Sequence, residues 1–233
     1  DIVHGINGMT PLEWLHLNGQ GNFKDGPEVI HNLIGKGDTK KSKKEELDLL
    51  FRAIAEEIKR NSERDIPIMA LRFAIMNLTM VTANERVGNY FMLIICLSTK
   101  RGNAIMRNAM EYHKLDIQKV IDTMTALLAY DAWCRSFGIP KWEIDNAGPA
   151  VSQLMQDMIA YLPREVEEGT HGYHKVKFHG LWLILETLKQ YGSAQNTSSE
   201  TRERLHQTAV GKNGDGTNLR PTSFTVQCGT RDG

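Results

Sequence analysis

Apolar residues recur every three or four positions along most of the first 192 residues. That spacing is typical of helices that bury one face. The clearest example is the segment with Leu47, Leu50, Phe51, Ile54 and Ile58 on one side. No stretch shows the strict alternation of a β-strand. The pattern therefore predicts an all-α fold, a compact orthogonal array of about seven or eight helices.

The longest apolar stretch lies between Pro67 and Phe137, and turn signals divide it into four predicted helices. Its most apolar run, Tyr90–Leu97, is far shorter than the roughly 20 residues that a membrane-spanning helix needs. We therefore expect no membrane insertion. The four predicted helices cover residues 67–83, 85–98, 102–113 and 116–137.

Capping and turn residues predict three helices before this stretch. Thr10 starts a short helix that the polar run at residues 18–21 should end. Pro27 then opens a second helix. Residues 36–44 are basic and should form a flexible linker, within which Ser42 caps a third helix that ends near residue 61.

Breaks in the pattern divide the chain into a core and two arms. A break near residues 138–149, with Trp142 in a connector, would allow two lobes. Two further helices are predicted over residues 151–162 and 176–191. Polar residues dominate after that, and they have little to bury. The predicted organisation is an N-terminal arm at 1–9, a helical core at 10–192 and a C-terminal arm at 193–233.

Composition limits the class of protein. The chain of 233 residues is 41% hydrophobic, and 28 basic residues balance 28 acidic ones. A zero net charge disfavours a histone-like clamp, yet a local basic groove would still attract phosphate. Cys96, Cys134 and Cys228 form no CxxC pair, which favours a reducing compartment. The start shows no signal-peptide pattern, so we expect a soluble, intracellular protein.

Aromatic and basic side chains alternate in the segment HGYHKVKFH at residues 171–179. Bases can stack on such rings while lysines meet phosphate, so the segment suits single-stranded nucleic acid. The alternative is a solvated loop that leads into the last helix. The candidate RNA-binding residues of this segment are Tyr173, His174, Lys175 and Lys177.

A second basic spot lies at Lys100 and Arg101, where the predicted helix at 102–113 starts, and Arg107 lies further along that helix. The free backbone N–H groups and the macrodipole at the start of a helix favour the binding of an anion at this place. Arg101 and Arg107 would converge only if Arg101 lay on the preceding loop. Arg72 and Arg86 stand in apolar helical segments, where the partner is either a carboxylate or an RNA phosphate.

Catalytic patterns are weak by comparison. His171 and His174, with Glu167 or Glu168, could hold a metal, but the spacing is loose and no HExxH or CxxC accompanies it. Cys134 stands among apolar neighbours and is predicted to be core rather than a nucleophile. We therefore expect no enzyme, no metal and no cofactor. A small metal-dependent enzyme that uses His171 and His174 stays as an alternative.

The segment Leu97-Ser-Thr-Lys-Arg101-Gly102-Asn103 is similar to the Leu-Thr-Arg-Gly-Asn segment of phlebovirus-type nucleoproteins. The overall plan, a helical core with scattered cations and two arms, also resembles nucleoproteins and filament coat proteins of RNA viruses. The resemblance implies a groove that holds RNA, arms that grip neighbouring subunits, and a place in the virion or host cytoplasm.

The leading hypothesis is a structural protein that self-assembles and coats single-stranded RNA through its phosphates. Such binding would be independent of base sequence and would weaken as salt rises. The alternative from a different class is a helical interaction, matrix or adaptor module that binds protein partners and no RNA.

Overall fold

A computed structural model describes residues 14–35, 40–61, 83–164, 172–173 and 175–197, and most of these residues are helical. Short turns join the helices, and no strand occurs in the described ranges. The all-α prediction is confirmed. After an N-terminal π-helix at Leu15–Asn22, the α-helices are α1 (Phe23–Gly35), α2 (Lys40–Asn61), α3 (Ala83–Ser98), α4 (Lys100–His113), α5 (Ile117–Arg135), α6 (Lys141–Asn146), α7 (Gly148–Tyr161) and α8 (Val176–Tyr191).

Apolar periodicity and capping residues explain most of these helices. α3, α4, α5 and α8 begin and end within about two residues of their predicted bounds. Asp116 caps α5, since its carboxylate accepts a 2.8 Å hydrogen bond from the backbone N–H of Gln118. The predicted helix at residues 67–83 lies almost entirely outside the described residues. The predicted face of α2 is buried at its first three positions and half-buried at the last two: Leu47, Leu50, Phe51, Ile54 and Ile58.

The polar run at residues 18–21 does not end a helix, so that prediction is wrong. The π-helix continues through it and passes directly into α1, which places Pro27 inside α1 rather than at its start. Two buried asparagines explain the error, because their amide N–H groups donate to distant partners. Asn18 donates to Asp131 at 2.7 Å, and Asn22 donates to the carbonyl of Lys177 at 3.2 Å.

Two predicted connecting segments are also partly helical. α2 begins at Lys40, so the second half of the predicted linker at 36–44 belongs to a helix. In its first turns, Lys43 pairs with Glu46 at 3.0 Å. Trp142 lies in α6 rather than in a connector. This helix has six residues, too few to show a helical period in the sequence.

The described helices share a single hydrophobic cluster, which runs from Trp14 to Ala194. It includes residues from both sides of the segment 138–149. The π-helix packs closely on α8, where Gly180 leaves room for Leu17: a Cβ there would lie 1.9 Å from the Leu17 Cδ1 atom. None of the helices in the described ranges is long and apolar enough to span a membrane.

Candidate functional site

Charged side chains from three distant segments meet in a cleft of about 350 Å³, which we call the Asp25 cleft. α1 contributes Lys24, Asp25 and Glu28, the segment after α7 contributes Arg164, and the start of α8 contributes Lys175 and Lys177. Among the described residues that line this cleft, the four cations outnumber the two carboxylates. These residues therefore carry an excess of positive charge although the whole chain is neutral.

Asp25 lies at the centre of this cleft and is only 4% exposed. One of its carboxylate oxygens binds the Arg164 guanidinium and the other binds the Lys175 ammonium. Both cations stay partly accessible, with side chains 22% and 26% exposed. Burial lowers the pKa of Lys175, and the charge of Asp25 opposes that shift. A further anion in the cleft would favour the charged ammonium in the same way.

Glu28 lies at the rim of the cleft and is 41% exposed. It pairs with Lys24 at 3.1 Å, one helical turn away, and lies 3.9 Å from Arg164. Exposed ion pairs one helical turn apart contribute only about 0.3–0.5 kcal/mol to stability. Lys24 therefore remains available to another anion at small cost.

Aromatic rings are packed close to the ion pairs of Asp25. The Tyr173 hydroxyl donates to the carbonyl of Leu162 at 2.6 Å, and its ring lies 4.5 Å from that of Phe178. Burial raises the pKa of Tyr173, and Asp25 adds to the shift. Tyr90 of α3 is fully buried, and its ring fits against Gly26 of α1. Tyr173 thus joins the end of α7 to the start of α8, and its role is one of packing beside the site.

The structure divides the predicted segment at 171–179 into different roles. Lys175 is held by Asp25, whereas the Lys177 side chain is exposed at the rim. His171 and His174 lie outside the described residues. Sequence reasoning missed Lys24, Asp25 and Arg164, because nothing in the sequence shows that α1 meets the start of α8. The available signals were the i,i+4 pair of Lys24 with Glu28 and the position of Arg164 directly after Pro163.

The segment that carries the nucleoprotein resemblance forms the corner between α3 and α4. Thr99 caps α4, since its hydroxyl accepts a 2.9 Å bond from the N–H of Gly102. Asn103 donates from its amide to the carbonyl of Leu97 at 2.7 Å, at the end of α3. A Cβ on Gly102 would lie 1.9 Å from the carbonyl oxygen of Cys96. Helix packing thus explains the Thr, Gly and Asn of this segment.

The cations of α4 are exposed but do not converge as a single group. Arg101 lies in the first turn of α4 rather than on the loop, so it points about 120° away from Arg107 around the helix. Lys100 and Arg107, seven positions apart, share one side. Arg107 lines a second cleft of about 400 Å³, where two cations face two carboxylates. Because the charges of its described lining residues balance, this cleft is less suited to phosphate than the Asp25 cleft.

Arg86 of α3 is half-buried, and it lies close enough to Glu28, at the rim of the Asp25 cleft, to be affected by that charge. Burial lowers the pKa of Arg86, and the charge of Glu28 counteracts that effect. Glu28 therefore faces cations on two elements, Arg86 on α3 and Arg164 after α7. Arg72 lies outside the described residues.

An apolar groove of about 500 Å³ runs between α5, α6 and α7. Trp142 forms its outer wall and is 67% exposed. Trp133 donates from its indole N–H to the Glu143 carboxylate at 2.6 Å, which fixes α6 against α5. The rest of the lining is small or apolar: Ala126, Ala129, Tyr130, Ala147, Ala150, Val151 and Leu154, with Asn146 at the edge.

Two observations on the described residues concern catalysis, one on the cysteines and one on metal ligands. Cys96 and Cys134 are fully buried, and burial raises the pKa of Cys96 to about 12 and raises that of Cys134 as well. Such thiols are rarely ionised and make poor nucleophiles. Within the described ranges, no group of three His, Cys, Asp or Glu side chains is placed to hold a metal. The proposed metal ligands His171 and His174 fall outside those ranges.

Comparison with known proteins adds no relative: no family model, no curated protein and no solved structure matches this chain.

Proposed function

We propose that this chain is a non-enzymatic structural protein that binds single-stranded RNA through its phosphates and self-assembles on it, as a nucleoprotein or coat subunit. The observation that carries the proposal is the excess of cations in the Asp25 cleft. Backbone phosphates are the ligand that such a cleft suits best, because their charge is spaced regularly and does not depend on base sequence.

The cations of the cleft differ in how firmly they are held. Arg164 and Lys175 are fixed by Asp25, whereas Lys24 and Lys177 lie at the rim. A guanidinium presents a fork of N–H donors that matches a phosphate, and an ammonium adds a point charge. The exposed cations Lys100, Arg101 and Arg107 on α4 would add non-specific attraction.

Self-assembly is supported by the apolar surface. Large rings are exposed at Phe137 and Trp142, at 71% and 67%. Trp142 continues into the apolar groove, and contiguous apolar surfaces of this kind commonly mark contacts with another protein. A coat protein needs such contacts because each subunit touches its neighbours along the RNA.

RNA binding is tested with Lys177→Glu and a matched control, Lys119→Glu. Both lysines are exposed, and both changes alter the net charge equally. Lys177 lies at the cleft, whereas Lys119 lies on α5. Fluorescence anisotropy with a labelled oligouridine of about 20 nucleotides, in about 100 mM salt, should show at least a ten-fold weaker Kd for Lys177→Glu and less than about two-fold change for the control.

Equal losses in the two variants would show that binding does not involve the cleft. A wild-type protein that fails to bind the oligouridine at low salt would overturn the proposed function altogether.

The second candidate is an interaction module that binds a protein partner and no RNA. The apolar groove is the observation that favours it, since a groove with an exposed tryptophan suits an apolar segment. The anisotropy experiment separates the two functions, because an interaction module would not bind the oligouridine.

A further inference from the structure

Asp25 is a carboxylate in a place where its charge should be unfavourable for the proposed ligand. It is almost completely buried, at 4% exposure, in the centre of the cleft that would receive phosphates. Burial of a charge is costly unless the charge is paired. A negative charge at the centre also reduces the attraction between the cleft and RNA. On the basis of charge alone, RNA binding should therefore improve when the Asp25 carboxylate is removed.

The geometry of its ion pairs indicates why a carboxylate is useful there. Each oxygen of Asp25 binds a different cation, Arg164 on one side and Lys175 on the other. Lys175 stands 150 positions away in the sequence, and Arg164 belongs to another segment. The carboxylate thus brings together two cations that would otherwise repel each other. Long cationic side chains lose much rotamer freedom when they bind a ligand, and prior fixation reduces that loss.

Both cations keep donors for a ligand. A guanidinium has five N–H donors and an ammonium has three, so the bond to Asp25 occupies only a minority of the donors of each cation. The side chains of Arg164 and Lys175 are 22% and 26% exposed, toward the cleft that both of them line. The arrangement resembles a metal or phosphate site in which an outer carboxylate orients the groups that touch the ligand.

We infer that Asp25 is a positioning residue, which holds Arg164 and Lys175 as a preorganised pair for backbone phosphates. This inference rests on the proposed function. It predicts that removal of the Asp25 charge weakens RNA binding, although the cleft then becomes more positive. Glu28 provides the contrast, because it lies at the rim, where its pair with Lys24 is exposed to solvent and Arg164 is 3.9 Å away.

The test compares Asp25→Asn, Asp25→Glu and Glu28→Gln by anisotropy with the oligouridine over a series of salt concentrations. Asp25→Asn and Glu28→Gln add the same charge to the cleft. Asp25→Asn should bind at least ten-fold more weakly, and its slope of log K against log salt should be shallower by about 0.7 for each phosphate that the cleft no longer neutralises. Glu28→Gln should bind equally or up to about five-fold more tightly, since it removes only a rim charge. Asp25→Glu should recover part of the affinity.

Asp25→Asn binding that matches or exceeds that of Glu28→Gln would overturn the positioning role while RNA binding by the wild type would stand. Circular dichroism establishes first that each variant is folded. If Asp25→Asn does not fold, Arg164→Lys replaces it, because it keeps the charge and loses the guanidinium fork. It should bind at least five-fold more weakly, and unchanged affinity would overturn the inference.

A wild-type protein without RNA affinity would remove the proposed function, and pyrophosphate would then replace RNA in isothermal titration calorimetry. Loss of pyrophosphate binding in Asp25→Asn, or in Arg164→Lys where it replaces that variant, with retention in Glu28→Gln, would support the positioning role. Equal binding in these variants, or none by the wild type, would overturn it.

Discussion

At the scale of single residues, Trp14 connects the N-terminal π-helix with α5. It is 1% exposed, and its indole N–H donates to the Asp131 carboxylate at 2.8 Å. Asn18 and Arg135 bind the same carboxylate. Burial raises the pKa of Asp131, and these three partners oppose the shift. Each donor therefore offsets part of the cost of a buried charge.

Trp14→Phe should lower the free energy of unfolding by about 2 kcal/mol, because it removes a donor from a buried carboxylate while it keeps most of the ring. Urea unfolding followed by circular dichroism measures the change. Trp142→Phe is the matched control. Trp142 is 67% exposed, so the same substitution should change the stability by less than about 0.5 kcal/mol. Equal effects would show that the Trp14 hydrogen bond contributes nothing specific.

The sequence indicated some residues of the candidate site and missed others for a physical reason. Tyr173, Lys175 and Lys177 are close together in the chain, so their chemistry is visible as a local pattern. Asp25 and Arg164 join them only in the folded chain, where the ion pairs of Asp25 connect α1 with the segment after α7 and with the start of α8. A single charged residue in an amphipathic helix is also the ordinary sign of a solvated face, so Asp25 gave no signal.

At the scale of elements, the corner between α3 and α4 shows how a local segment sets a helix–helix contact. Thr99 caps one helix, Asn103 binds the end of the other, and Gly102 allows the backbones to approach. The space that a side chain at Gly102 would need is occupied by the backbone of Cys96, which cannot move independently of α3.

Gly102→Ala should therefore destabilise the protein by about 1–3 kcal/mol, although alanine is the better helix former. Thermal or urea unfolding of the folded variant measures the change in the free energy of unfolding. Asn108→Ala on the exposed side of the same helix serves as the control and should be neutral or slightly stabilising. A Gly102→Ala protein as stable as the wild type would contradict the close contact between the two backbones.

The predicted helix bounds are close to the observed ones where an apolar period runs along the helix, and they are wrong where tertiary partners decide whether a helix continues. α5 has both a capping aspartate and a long apolar face, and its bounds are close to those predicted. The π-helix contains glycines and asparagines that usually end helices. It persists because Asn18 and Asn22 find partners in α5 and α8, which local sequence does not show.

At the scale of the whole molecule, charge and apolar surface are unevenly distributed. The chain is neutral, yet the lining of the Asp25 cleft, as far as the structure describes it, has four cations against two carboxylates. The groove at Trp142, between α5, α6 and α7, is almost entirely apolar. In the proposed function these two surfaces have different tasks, since the cleft meets RNA and the apolar surface meets another subunit.

The most direct measurement is the change in assembly when RNA is added. The purified protein is first freed of nucleic acid, as judged by its A260/A280 ratio, and its sedimentation is then measured with and without single-stranded RNA. The proposed function predicts regular particles with many copies of the chain, visible by negative-stain electron microscopy and dispersed by high salt. A protein that remains a monomer at the same sedimentation coefficient after RNA is added would contradict it.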